Sequence, residues 1–422
     1  MSGSLSLLVG FHRSVYGREP DLVLSVPGRL DFLNTHQDYK GLPVVAMAIN
    51  RRLFVGVSRG REGSIRVASL NLKREGKEFM DEFPGKRPPL RGGKWFGDYA
   101  RAALRALEGE GFRSDSVDVS ISSEIPMGAG MASSAALTVG IIAAVSSLLG
   151  YKLGLDAIAE LAYRAERHVM GIPCGRLDQY SIVYGGVVLI ETREPVRVER
   201  LAHPMASVIV ADSGIRHRTG EIHPVRQREL DEALRILKAS KGLPRSLLGK
   251  LGDSHGSTLW DAITREELEK IRWALPEHLY NRIAYTVMAH ESTIEAIRLL
   301  RGEKPETEKL AEWAELVDSW LGGRVYASPS SLSETRQLGL VTTYQHCLLS
   351  LLYDVSLGEL DSIVRFLVLE GALGAKLSGA GLGGIVMGLA DHDRAVELVD
   401  KARGRLLGDY YVVSVDEGLK LH

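Results

Sequence analysis

Cysteine is nearly absent: Cys174 and Cys347 are the only two in 422 residues. Two cannot build a disulfide framework, and these lack the clustering of a structural zinc site. A reducing cytoplasm suits such a chain. Amides are also scarce, with asparagine at 34, 50, 71 and 281 and glutamine at 37, 179, 227, 337 and 345. Heat-adapted proteins share that depletion, which points to a thermophilic source. Net charge is missing too, since 52 basic and 53 acidic residues leave −1. No long-range field then attracts nucleic acid or an anionic membrane, and a polyanion must be gripped by a local site. The first ten residues carry no basic cluster and only a brief apolar run, which argues against a signal peptide. One uncharged run, Met131 to Gly150, has bilayer length. Its serines and glycines, and its lack of basic or aromatic flanks, fit a buried helix instead.

The chain is too long for one ordinary core, so we expect two domains of roughly 200 residues each. The pattern loosens around Arg193 to Pro204, which sets the division at 1–203 and 204–422. In the first half, Asp21 to Val26 reads as a strand broken by Pro27 and Gly28, and Val44 to Val57 as a β-rich pair around Arg51 and Arg52. Lys73 to Lys94 is polar and holds Pro84, Pro88 and Pro89, as a loop or hairpin margin does. A helix is expected from Trp95 to Glu108, a strand from Val117 to Ile121, and helices from Ser133 and over Leu155 to Val169. The second half reads as strands at Val208–Ala211, Ile385–Met387 and Tyr410–Val415, with helices at 227–239, 265–274, 284–300, 308–321 and 356–370. The fold class is α+β.

Between the strand ending near Ile121 and the helix from Ser133 lies Pro126, Met127, Gly128, Ala129, Gly130, Met131, Ala132. Strand, glycine turn and serine-led helix together make a phosphate cradle. Gly128 and Gly130 let the backbone take positive φ and approach an oxygen, and the first helical amides carry the positive end of the dipole. Ser133 or Ser134 can add a hydroxyl to phosphate or to Mg²⁺. No Walker string occurs. On these residues alone, a turn capping a core helix fits as well.

Three strings in order resemble the GHMP kinase superfamily: Pro27 to Tyr39, Pro126 to Ala136, and Lys376 to Gly384. Within it the chain most resembles the galactokinase family, through His36 to Tyr39, Trp95 to Tyr99, Ala165 to Gln179 and, more faintly, Pro224 to Ala233. The resemblance implies a two-domain fold, with an N-terminal domain like ribosomal protein S5 domain 2 and a ferredoxin-like C-terminal domain. It implies an ATP-dependent sugar 1-kinase using Mg²⁺, acting on galactose. Asp178 matches the catalytic aspartate at the anomeric hydroxyl, and Arg29 the arginine beside it. Residues 126 and 128–134 match the nucleotide-binding loop, and Ser134 with Glu166 the Mg²⁺ ligands. His36, Asp38, Thr35, His223, Gly379 and Gly381 fall at sugar-binding positions.

The match departs in two places. Galactokinases usually have Gly-Glu before the motif histidine, the glutamate contacting the C6 hydroxyl; here Asn34 and Thr35 stand there. His223 replaces a sugar-contacting tyrosine. Loss of that carboxylate suits a sugar altered at C6, so galacturonate, arabinose and N-acetylgalactosamine are alternatives to galactose. A kinase for mevalonate or an amino acid, and an inactive sugar sensor, are further alternatives; His36, Asp38 and Gln179 speak against the first and the complete set Arg29, Asp178, Ser134, Glu166 against the second. Trp320 to Leu352 fits the family poorly and reads as an insertion or a dimer surface of a chain working as monomer or homodimer.

Overall fold

The computed structural model describes residues 3–92, 95–113, 116–204, 206–216 and 219–422. Lys94, where the expected 73–94 loop ends, lies outside them. Among the described residues, strands β1 (Leu22–Leu33), β2 (Val44–Arg59), β3 (Ser64–Ser69), β4 (Met80–Pro84), β5 (Val117–Ser123), β6 (Val187–Glu191) and β7 (Arg197–Leu201) belong to a first sheet. Strands β8 (Ser207–Asp212), β9 (Gly374–Ser378), β10 (Ile385–Ala390) and β11 (Asp409–Val413) form a second, in the order β11-β8-β10-β9. The chain passes from one sheet to the other between Leu201 and Ser207. Its last strand, β12 (Lys420–Leu421), returns to pair with β1, Leu24 opposite Leu421.

Pro27 and Gly28 do not break β1. The strand runs on to Leu33, and the register with β2 slips between Pro27 and Gly28 and again between Asp31 and Leu33. A bulge tolerates proline because the ladder is already interrupted there. The amide of Arg29 then donates to the carbonyl of Met131 in the glycine loop at 3.3 Å. Arg29 and Asp31, two apart on a strand, leave the same face.

The expected β pair around Arg51 is one long strand. One edge of β2 pairs with β1; along the other, Val44–Met47 pairs with β6 and Leu53–Arg59 with β5. The polar stretch that opens at Lys73 holds the hairpin margin expected of it. It contains β4, antiparallel to β3, with Phe83 buried and Glu82 exposed in alternation. Helix Ser133–Leu148 packs on β1 and β2 with nearly every residue from Ala135 to Ser146 buried, as its uncharged sequence requires. No helix among the described residues is long and apolar enough to cross a membrane.

Within residues 320–352 the stretch up to Arg336 is mostly exposed or half-buried, but most of the rest is core. Helix Glu334–Leu351 is buried continuously from Gln337 to Leu349 and packs on β9. Its polar residues are paired inside: Gln345 accepts the amide of Asn34, and His346 accepts that of Leu377. A separate apolar cluster, with Trp260, Leu234 and Ile283, joins the helices Thr219–Ala239 and Glu277–Leu300 to Leu42.

Candidate active site

The glycine loop adopts the conformations its glycines permit, with φ of 70° at Gly128 and 84° at Gly130. Ala132 is left-handed as well, at 59°, and hands over to the helix at Ser133. A side chain on Gly130 would meet the carbonyl of Ser378 at 3.3 Å, and one on Gly379 the carbonyl of Gly130 at 3.1 Å. The two glycine loops, one from each sheet, therefore touch backbone to backbone.

Around this junction lies a cavity of about 670 Å³. Gly128, Gly130, Ala132, Ser133 and Ser134 line one part of it, so the helix's first turn opens on the cavity. Amides of such a turn have no helical acceptors. Arg29, Thr35, His36, Asp38, Asp178, Glu166, His223 and Gly379 line the rest. Pro126, Ala129, Met131 and Gly381 are not on its wall. Ala129 and Met131 are buried in the core behind it, and Gly381 is packed against the carbonyl of Val355.

Arg29 ties the parts together. Its Nε and Nη2 both reach Oδ1 of Asp178, at 2.8 and 2.6 Å, while Nη1 donates to the carbonyl of Gly130 at 2.5 Å. Asp178 sits in the first turn of helix Leu177–Tyr184, where a carboxylate is favoured by the dipole. Both guanidinium bonds fall on one oxygen, leaving Oδ2 for another partner.

Glu166 sits in a π-helical turn, Ala165–Val169, that ends helix Leu155–Arg164. Such turns recur at functional sites because they re-aim one side chain. The carboxylate is buried, and burial, with Asp178 nearby, pushes its pKa up to about 8. Gln179 Nε2 donates to it at 3.3 Å. The Thr138 hydroxyl donates to the carbonyl of Ser134. A buried carboxylate without a cationic partner beside a serine hydroxyl fits a hard divalent ion. Among the described residues no cluster of three or more His, Cys, Asp or Glu could hold a metal unaided. Phosphate oxygens would have to complete such a site.

His36 is held at both nitrogens: Nε2–H donates to the carbonyl of Ala380 at 2.9 Å, and Nδ1 lies 3.1 Å from the hydroxyl of Tyr39. Burial keeps it neutral well below its ordinary pKa. Its ring meets that of His223 edge-on at 4.8 Å. His223 bonds the carbonyl of Pro173 through Nδ1, so the neutral ring offers Nε2 as an acceptor. Asp38 accepts the amides of Tyr39 and Leu177, and burial, with Asp178 next to it, raises its pKa to about 6. Thr35 receives a hydrogen bond from the buried Lys376 at 2.8 Å.

Three residues on or behind the wall were not singled out from the sequence. Tyr99 lines the cavity and bonds the Ser134 side chain. Asp31 lines it two residues beyond Arg29, and Lys376 stands behind Thr35. The alternation of a strand through Arg29 would have found Asp31; reading Pro27 and Gly28 as a break hid that signal.

Three family models match the chain: the galactokinase galactose-binding signature over residues 10–59, the GHMP kinases N terminal domain over 98–186, and the GHMP kinases C terminal over 338–406. The last covers the buried helix Glu334–Leu351 from Leu338 onward, part of the range that had read as an insertion. A galactokinase of Pyrococcus furiosus is 27% identical over 415 residues, covering 94% of this chain and 99% of the relative. One of Thermotoga neapolitana is 26% identical, covering 87% and 89%. Among solved structures, Lactococcus lactis galactokinase complexed with galactose superposes with a TM-score of 0.79 at 19% identity, over 99% of each chain. Methanococcus jannaschii mevalonate kinase reaches 0.64 at 18%, over 94% of this chain and 98% of that one. These structural likenesses show the fold, the two-domain α+β arrangement expected from the motifs. With its N- and C-terminal models in order and the galactose-binding signature ahead of them, the chain belongs to the GHMP kinases.

Proposed function

We propose that this protein is an ATP-dependent sugar 1-kinase that moves the γ-phosphoryl of ATP to the C1 hydroxyl of galactose, working in the cytoplasm of a heat-adapted cell. Residues 1–203 and 204–422 are its two domains, with the last strand β12 crossing back to the first sheet, and the substrates meet in the cavity beside the junction of the glycine loops. The observation that carries the reading is the Arg29 bridge: one side chain of the galactose-binding segment holds both Asp178 and the carbonyl of Gly130.

Phosphoryl transfer needs positioning and charge stabilisation more than covalent help. The loop at 128–134 receives the triphosphate on its free amides and serine hydroxyls. Asp178 Oδ2 orients the C1 hydroxyl and takes its proton as the new O–P bond forms and ADP departs. Arg29 keeps that carboxylate in place and offers positive charge to the transferring group. Mg²⁺, held by Ser134, Glu166 and the phosphates, would draw charge off the phosphoryl oxygens when bound.

Thr35 and His223 favoured a sugar altered at C6. Asp31 weakens that argument, because it lines the same wall with a carboxylate of its own. Galactose therefore stands first, ahead of galacturonate, arabinose and N-acetylgalactosamine. A single-turnover assay with these four sugars tests the order. Galactose should react fastest, and Asp178→Asn should lose turnover while still binding ATP. Consumption of ATP with none of them, or undiminished turnover by the variant, would overturn the reading.

A further inference from the structure

Asp31 is a buried carboxylate without a function so far. Only 5% of the residue is exposed, it lines the cavity, and its Oδ1 is sealed from solvent. Among the described residues no hydrogen bond reaches either carboxylate oxygen, although an isolated buried carboxylate is costly. Its backbone, in contrast, is fastened at both ends: the amide donates to Ser378 Oγ at 2.8 Å and the carbonyl accepts from Lys376 Nζ at 2.9 Å. The same Nζ donates to Thr35 Oγ1.

That lysine fixes the direction of the threonine. Its oxygen already accepts a hydrogen bond from Lys376, so the Thr35 hydroxyl has its own proton to donate. The ammonium also lies within electrostatic reach of the Asp31 carboxylate and offsets part of its desolvation. The result is an acceptor, Asp31, and a donor, Thr35, on one wall, with a buried cation behind both. An acceptor–donor pair of this kind matches a neutral hydroxyl, which gives one hydrogen bond and accepts another. A ligand carboxylate could use only the donor and would face the charge of Asp31.

We propose that Asp31 and Thr35, braced by Lys376, read one hydroxyl of the sugar away from C1 and reject sugars carrying a carboxylate there. The proposal rests on the sugar-kinase reading. Asp31 binds substrate in the ground state and transition state alike, so its loss should appear in KM with kcat nearly kept.

The test is steady-state kinetics of the full chain with galactose, its 2-, 3-, 4- and 6-deoxy analogues and galacturonate, for wild type, Asp31→Asn and Thr35→Val. Wild type should disfavour one deoxy position by about 10-fold or more in kcat/KM beyond the others. In Asp31→Asn, KM for galactose should rise about 10-fold, the penalty at that one position should vanish, and galacturonate should gain on galactose by a similar factor. Thr35→Val should erase the same penalty, which separates recognition from damage to the fold. If galactose turns over but the variants lower every substrate equally, or act on kcat alone, the proposal fails and the kinase reading stands. If wild type phosphorylates none of these sugars, both fail.

Discussion

Replacing Glu166 with glutamine should make the protein more stable at alkaline pH while removing its kinase activity. The carboxylate is buried, and its pKa moves from 4.5 to about 8, chiefly through burial. Between those values the unfolded chain has released a proton that the folded protein retains. Stability from this group is therefore complete below pH 4.5 and is lost as pH rises through 8. In full the shift is worth about 5 kcal/mol, of which roughly 4 falls between pH 5 and pH 9. Relaxation around the ionised group reduces this, and we take about 2 kcal/mol as the smallest difference consistent with the argument. The side-chain amide of the variant would still accept from Gln179, so little else is disturbed. The assay is chemical denaturation of wild type and Glu166→Gln at pH 5 and 9 in chelator, without nucleotide. The variant should gain on wild type by about 2–4 kcal/mol across that range. Parallel pH dependence in the two proteins would refute the buried, uncompensated carboxylate. Adding Mg²⁺ and ATP should narrow the gap for wild type only, by linkage.

Two other consequences concern separate parts of the molecule. Arg29→Ala should lower kcat by about 10²–10³ in single-turnover kinetics, since it removes both the anchor of Asp178 and a positive charge at the transferring group. Arg29→Lys should recover little of it, because the fork that reaches Asp178 and Gly130 together is lost. On the far side of the first sheet, His12 is buried between Ser58 and Ser120, and burial lowers its pKa from 6.5 to about 4. As pH falls through 6.5 the unfolded chain gains a proton that the folded one refuses. Acidification to pH 4 should therefore cost about 3 kcal/mol. Hydrogen exchange should show helix Gly3–Tyr16 loosening first, and His12→Gln should blunt the effect; equal acid sensitivity in the variant would contradict it.

Much of the site was legible because phosphate binding leaves a local trace. Gly128, Gly130 and Ser134 are close in sequence, and their chemistry follows from backbone freedom and a helix start. Arg29 and Asp178 were legible only through the motifs around them, since 149 positions separate them and no periodicity links the two. What escaped was tertiary. Proline argued for the end of a strand at Pro27, but a bulge absorbed it, so Asp31 was not placed on the face of Arg29. Residues 320–352 fitted the family motifs poorly, and nothing local shows that Gln345 and His346 find their partners in the core. Lys376 read as the first letter of a glycine motif; its role emerges only once β9 is laid beside β1 and Thr35.

The central claim is that this cavity joins ATP to the C1 hydroxyl of galactose through Asp178. The most direct measurement is phosphorus NMR of a single turnover with ATP, Mg²⁺ and galactose, comparing wild type with Asp178→Asn. We predict a phosphate on C1 with wild type and no sugar phosphate with the variant. A phosphate on any other carbon, or the same product at the same rate from Asp178→Asn, would contradict it.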